Sequence, residues 1–220
     1  MRASSPSTCS AVTSRPAGLP DPVRLFVAIT IPEGHRRALA ARLATVAARG
    51  PRARWERPEK LHLTLCFLGE VGAQRQEALA TGLREAISPL APFPARLTAA
   101  GAFPGARRAR VLWLGVEAGE PLARLQAAVE EVCRPFAERA EARVFHPHLT
   151  LARCDPPWSG PALERFVAEL GAPAPEPFRV FAASLVESRL GPGGSQHREI
   201  AVFPLAGEGE GGAGEEGRRG

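Results

Sequence analysis

Tyrosine is missing from this 220-residue chain, lysine occurs once, at Lys60, and cysteine only four times. Without tyrosine, no phenol is on hand for proton transfer or stacking. With a single lysine, nearly all the positive charge behind a net charge of +5 is arginine. Guanidinium groups bind phosphate bidentately and stack on bases, so a polyanionic partner is chemically reasonable; arginines spread over a solvated surface would give the same composition. Cys9, Cys66, Cys133 and Cys154 show no Cys-x-x-Cys spacing, which excludes a cysteine metal framework and reads as reduced thiols of a cytoplasmic protein. The first segment, "MRASSPSTCSAVTSRPAGLP", lacks the continuous apolar core of a secretory signal. The longest apolar stretches, such as Leu25 to Ile31, are too short to span a bilayer, so no membrane association is expected.

What is present is the composition of a globular protein, 45% hydrophobic and 23% charged. Residues 1–20 are Ser/Pro/Ala-rich and 206–220 form a Gly/Glu-rich tail; both are expected to be disordered, leaving 21–205 as the folded unit. Within that unit strands and helices alternate. Strands are expected at 23–31, 60–68 (ended by Gly69), 95–101, 109–116, 147–153, 178–189 and 198–204. Helices are expected from Pro32 to about Arg49, at 73–88, at 120–138 with Leu122, Leu125, Val129, Val132 and Phe136 on one side, and at 161–170. The second half repeats the outline of the first. The fold class read from this is α+β: two antiparallel-sheet lobes related by a pseudo-twofold, helices outside and a cleft between them.

With only five histidines, the chain spells His-Leu-Thr-Leu twice, at His62–Leu65 and at His148–Leu151. Side chains alternate on a strand, so His62 and Thr64 share one face while Leu61, Leu63 and Leu65 anchor the other; His148 and Thr150 stand likewise before Leu149 and Leu151. A lone His-x-Thr on a strand is usually structural. Two copies facing each other across a cleft would bring two imidazoles and two hydroxyls into one small volume. Imidazole titrates near pH 6.5, so one ring can take a proton from water while the other gives one to a departing oxygen. The threonine hydroxyls can donate to the oxygens on which charge gathers. This is phosphodiester chemistry that needs no metal, with His62, Thr64, His148 and Thr150 as the candidate catalytic residues.

The segments "RLFVAI" (24–29), "LHLTLCFLGEV" (61–71), "RVLWLGV" (110–116), "FHPHLTLAR" (145–153) and "LVESRLGPGG" (185–194) together resemble the two-histidine phosphoesterases. Within that superfamily the chain looks most like the RNA 2′,3′-cyclic phosphodiesterases, also called 2′-5′ RNA ligases. The resemblance covers roughly residues 23–203 and implies no cofactor. It implies as substrates RNA ends or nucleotides bearing a 2′,3′-cyclic phosphate, hydrolysed to a 2′-phosphate; the protein itself is expected to be a cytoplasmic monomer. It further implies His148 as general base toward water and His62 as general acid toward O3′. Arg153 matches an arginine expected near the phosphate, although strict alternation sets it on the face opposite His148, so the strand must end or bulge before it; a surface arginine is the alternative. Phe26, on the same strand face as Arg24 and Ala28, is a candidate for stacking on a base or an ordinary core residue. His146 supports the site without doing chemistry.

Members of this family often have a tyrosine near the start of the last strand, where this chain has His197, read as a surface substitution. Three rival readings remain: a metal-dependent hydrolase using His146, His148 and Asp155; an RNA-binding module without turnover; and ligation or cleavage of 2′-5′ linkages by the same groups.

Overall fold

The structure is a computed structural model that describes residues 22–138, 144–171, 176–191 and 194–208. The expectations for 1–20, and for the tail beyond 208, lie outside the described residues. The chain runs β1 (Val23–Thr30), α1 (Glu33–Arg49), β2 (Arg54–Trp55), a 3₁₀ turn (Pro58–Lys60), β3 (His62–Val71), α2 (Ala73–Ile87), β4 (Phe93–Phe103) and β5 (Ala109–Glu117). It continues with α3 (Gly119–Cys133), β6 (His148–Trp158), α4 (Gly160–Gly171), β7 (Phe178–Val180), β8 (Ala182–Gly191) and β9 (Gly194–Pro204). Among the described residues no helix is long and apolar enough to cross a membrane.

The helices form where apolar residues recur on one side: Leu39, Leu43 and Val46 are buried on α1, Leu79, Leu83 and Ile87 on α2, and Leu122, Leu125, Val129 and Cys133 on α3. Several boundaries differ from the sequence reading, three of them instructively. α3 stops at Cys133, because Pro135 has no N–H to give and its ring clashes with a preceding carbonyl; Phe136 packs on the core from a turn instead. The expected strand at 178–189 breaks at Phe181, so that β7 pairs with β4 while β8 pairs with β1. β3 does not end at Gly69 but runs on to Val71, Gly69 taking φ 77, a conformation in which a side chain would be strained.

Every strand pairing is antiparallel, and the strands lie in the order β7-β4-β5-β6-β3-β1-β8-β9, with β2 lying along β6 beyond β3. Two four-stranded halves, β7-β4-β5-β6 and β3-β1-β8-β9, meet at one residue pair, Leu63 opposite Leu149. α1 and α4 pack together under the first half, and α2 and α3 under the second. The helices and the leucines of both tetrads share one hydrophobic core, in which Leu63 is 2% and Leu149 0% exposed. Burying such a side chain contributes about 1.5–3 kcal/mol, so the junction is held from the helix side and the opposite face is left for polar groups.

The duplication extends to a backbone irregularity. On β3 the register steps from Thr64 to Cys66 against Ala28 and Val27, and on β6 from Thr150 to Ala152 against Trp113 and Leu112. Leu65 and Leu151, the last residues of the two tetrads, are therefore the extra residues of two bulges. A bulge reverses the alternation beyond it. Cys66 and Ala152 consequently join the core, and the residues that follow, Phe67 and Arg153, come out beside the histidines.

Candidate active site

The Leu63–Leu149 pair fixes the geometry of the site. Continuing that antiparallel register by one residue each way sets His62 across from Thr150 and Thr64 across from His148. The two imidazoles and two hydroxyls therefore flank the one registered pair at which the two strands meet. All four line a single cleft of about 680 Å³ on the face away from the helices.

Both rings are held in the same way. His62 Nδ1–H donates to the carbonyl of Lys60, and His148 Nδ1–H donates to the carbonyl of His146, each at 2.6 Å. A carbonyl only accepts, so Nδ1 must carry the proton and Nε2 is the atom left for the cleft. Burial, aided by the charges of His197 and His148, brings the pKa of His62 down to about 4 against the pull of its carbonyl bond. Burial is also the main reason His148 lies below the ordinary range, with a smaller contribution from His146. The protein by itself thus favours two neutral rings.

Arg153 lines the cleft with His148 and Thr150, since the bulge at Leu151 brings it round to their side; the strand does not end at Asp155 but runs through Pro156 and Pro157 to Trp158. Phe26 also lines the cleft, but it is only 4% exposed and its ring stacks on His62 at 4.8 Å, so the face a base would need is taken. The exposed aromatic is Phe67, 62% accessible, tilted against Phe26 at 5.9 Å and set five residues after His62 as Arg153 is set five after His148. The sequence reading passed over Phe67; the signal was the matched spacing in the two copies.

His197 is not the surface substitution expected. Its ring meets His62 edge-on at 5.3 Å and Phe26 at 5.1 Å, and burial, with the Lys60 charge, lowers its own pKa. Register explains this: β9 pairs His197 with Ser188 of β8, and both line the cleft. Lys60, the sole lysine, closes the same corner by donating to the Ser195 carbonyl.

The ring of His146 packs at 4.7 Å on Trp113 and 5.4 Å on Phe103, outside the cleft lining, and its carbonyl is the part that serves His148. Asp155 does not line the cleft either. Among the described residues no three His, Cys, Asp or Glu side chains gather as metal ligands would.

The sequence profile of the 2′-5′ RNA ligase superfamily matches residues 21–192. The chain belongs to that superfamily. Its relatives include the RNA 2′,3′-cyclic phosphodiesterase of Methanothermobacter thermautotrophicus, 32% identical over 83% of this chain and 99% of the relative. The protein of the same name from Thermus thermophilus is 36% identical over 84% of this chain and 92% of its own length. Among solved structures, one from Thermus thermophilus superposes with a TM-score of 0.69 at 29% identity, covering 84% of this chain and all of that one. Escherichia coli LigT complexed with 3′-AMP matches with a TM-score of 0.67 at 26% identity over 84% and 99% of the two chains. In this superfamily member, the antiparallel strands and outer helices expected from the sequence stand as the fold.

Proposed function

We propose that this protein hydrolyses the 2′,3′-cyclic phosphate of an RNA end or nucleotide to a 2′-phosphate, without a metal or other cofactor. One observation supports this above the rest: two imidazoles with identical carbonyl tethers leave Nε2 free beside two threonines in one cleft. His148 Nε2 takes a proton from water as its oxygen attacks phosphorus. The P–O3′ bond breaks, and His62 Nε2–H gives its proton to O3′; exchange with solvent then restores both rings. Thr64, Thr150 and Arg153 hold the non-bridging oxygens, where charge accumulates.

Burial works against a protonated His62 in the protein alone. The anionic substrate acts in the opposite sense, because a negative charge within about 4–6 Å favours the imidazolium. Substrate binding therefore loads the acid. Phe26 serves as the shelf behind His62, and Phe67 offers its exposed face to the base, a contact worth about 1–3 kcal/mol. A reducing, cytoplasmic setting belongs to the same proposal; Cys133 and Cys154 are buried as thiols, and burial pushes that of Cys154 up to about 11.

Phosphorus NMR of the protein with adenosine 2′,3′-cyclic phosphate in excess chelator tests the reading. The 2′-monophosphate should accumulate, and His62→Ala and His148→Ala should each slow it by about 10²–10⁴-fold. Product carrying a 3′-phosphate would reverse the roles of the two rings, and activity lost to the chelator would end the metal-free mechanism.

A further inference from the structure

Along the cleft edge opposite the β1 side, β2 sets Arg54 directly across from Arg153 of β6. Directly opposed residues project to the same side, and both side chains are exposed and line the cleft. Like charges in that relation repel, and a bound anion between them would offset the repulsion. No counter-charge is supplied from within: among the described residues the four arginines that line the cleft, Arg24, Arg54, Arg57 and Arg153, form no ion pair. Glu56 also lines the cleft between Arg54 and Arg57 and bonds to neither. Arginines without a carboxylate partner occur elsewhere on the surface too; these four are the ones that line the cleft.

A single cyclic phosphate carries one negative charge, and the threonines, the histidines and Arg153 already surround it. It leaves Arg54 unmatched. We propose that Arg54, assisted by Arg57, binds the phosphodiester on the 5′ side of the terminal nucleotide, so that the protein prefers the end of an RNA chain to a free nucleoside 2′,3′-cyclic phosphate. This rests on the proposed function for the identity of the reacting group, and it adds the substrate class. The second phosphate supplies the missing counter-charge, and a guanidinium suits it because its planar donors meet two phosphate oxygens at once.

The test compares adenosine 2′,3′-cyclic phosphate with a ribotetranucleotide ending in a 2′,3′-cyclic phosphate, using the whole protein and its Arg54→Ala and Arg54→Lys variants. The ratio of kcat/KM for the tetranucleotide to that for the mononucleotide should fall about tenfold in Arg54→Ala, chiefly through KM, with partial recovery in Arg54→Lys. The slope of log KM against log salt for the tetranucleotide should drop by about 0.7, the counterion share of one lost single-strand phosphate contact. A ratio that does not change, whether because both substrates suffer equally or because neither does, overturns the subsite. Fluorescence anisotropy with a labelled tetranucleotide 2′-phosphate reads the same contact without turnover. A protein that hydrolyses neither substrate would defeat the proposed function, while a weaker, less salt-dependent anisotropy signal in Arg54→Ala would still support the subsite, and an unaltered one would overturn it.

Discussion

His62 is a neutral imidazole in the protein alone, and this couples the cleft to stability. Its folded pKa of about 4 lies below the ordinary value near 6.5, so the unfolded chain binds the extra proton between those limits. The contribution of His62 is therefore complete above pH 6.5 and is lost as pH falls toward 4, amounting to about 3 kcal/mol. His148 and His197, both held low mainly by burial, add losses of the same sign. Urea unfolding should give a lower stability at pH 5 than at pH 7, with the difference reduced in His62→Gln. Equal stability at the two pH values would contradict a buried neutral ring. Phe67 also belongs to this scale: Phe67→Ala should raise KM for the cyclic nucleotide about tenfold or more while leaving kcat nearly intact, as loss of one stacking face predicts. A loss confined to kcat would place the ring in the chemistry instead.

The β8–β9 hairpin is the element on which the His62 corner depends, since it brings Ser188 and His197 to the cleft. It is pinned by a charge cluster on its other face. Glu187 is 1% exposed, and its two oxygens accept from Arg189 at 2.6 Å and Arg198 at 2.9 Å. Arg189 first, and Arg198 after it, hold that carboxyl below the usual range despite its burial. Glu187→Ala should cost about 2 kcal/mol in urea unfolding and speed amide exchange across β9 before the rest of the sheet. Uniform exchange would mean that the clamp stabilises the whole sheet and not the hairpin. Elements were also where sequence reading did least well. Helix periodicity shows the buried side of α3 but not that Pro135 truncates it, and nothing local to 178–189 says that Phe181 divides two strands with different partners. The bulge at Leu151 left a faint trace, the run of three apolar residues Leu149, Leu151 and Ala152 around Thr150. Its mate at Leu65 left none, because Cys66 reads as easily polar as apolar.

At the scale of the molecule, two halves of a sheet share one core and are joined in register at one pair of leucines. The doubling of His-Leu-Thr-Leu made the pairing of His62, Thr64, His148 and Thr150 legible, because alternation alone puts each imidazole on the side of its hydroxyl. What stayed hidden depends on distant strands: that His197 reaches His62 from β9, that Phe26 is covered, and that β2 lays Arg54 beside Arg153. The junction is where the halves are most sensitive to each other. Leu149→Ala should lower stability by about 2–5 kcal/mol, as expected for emptying a fully buried site, and should reduce turnover further than stability alone explains, because the two rings lose their common reference. Full activity in the folded fraction of that variant would show that the cleft is set by other contacts.

The tethers on the two imidazoles are main-chain atoms, the carbonyls of Lys60 and His146. No side chain has to be preserved to keep either ring in its working tautomer, so positions 60 and 146 can drift in sequence while the proton relay stays aimed. In this architecture the fidelity of acid and base is written into the path of the backbone, and a change in strand geometry disturbs it sooner than a change in the residues that supply the oxygens.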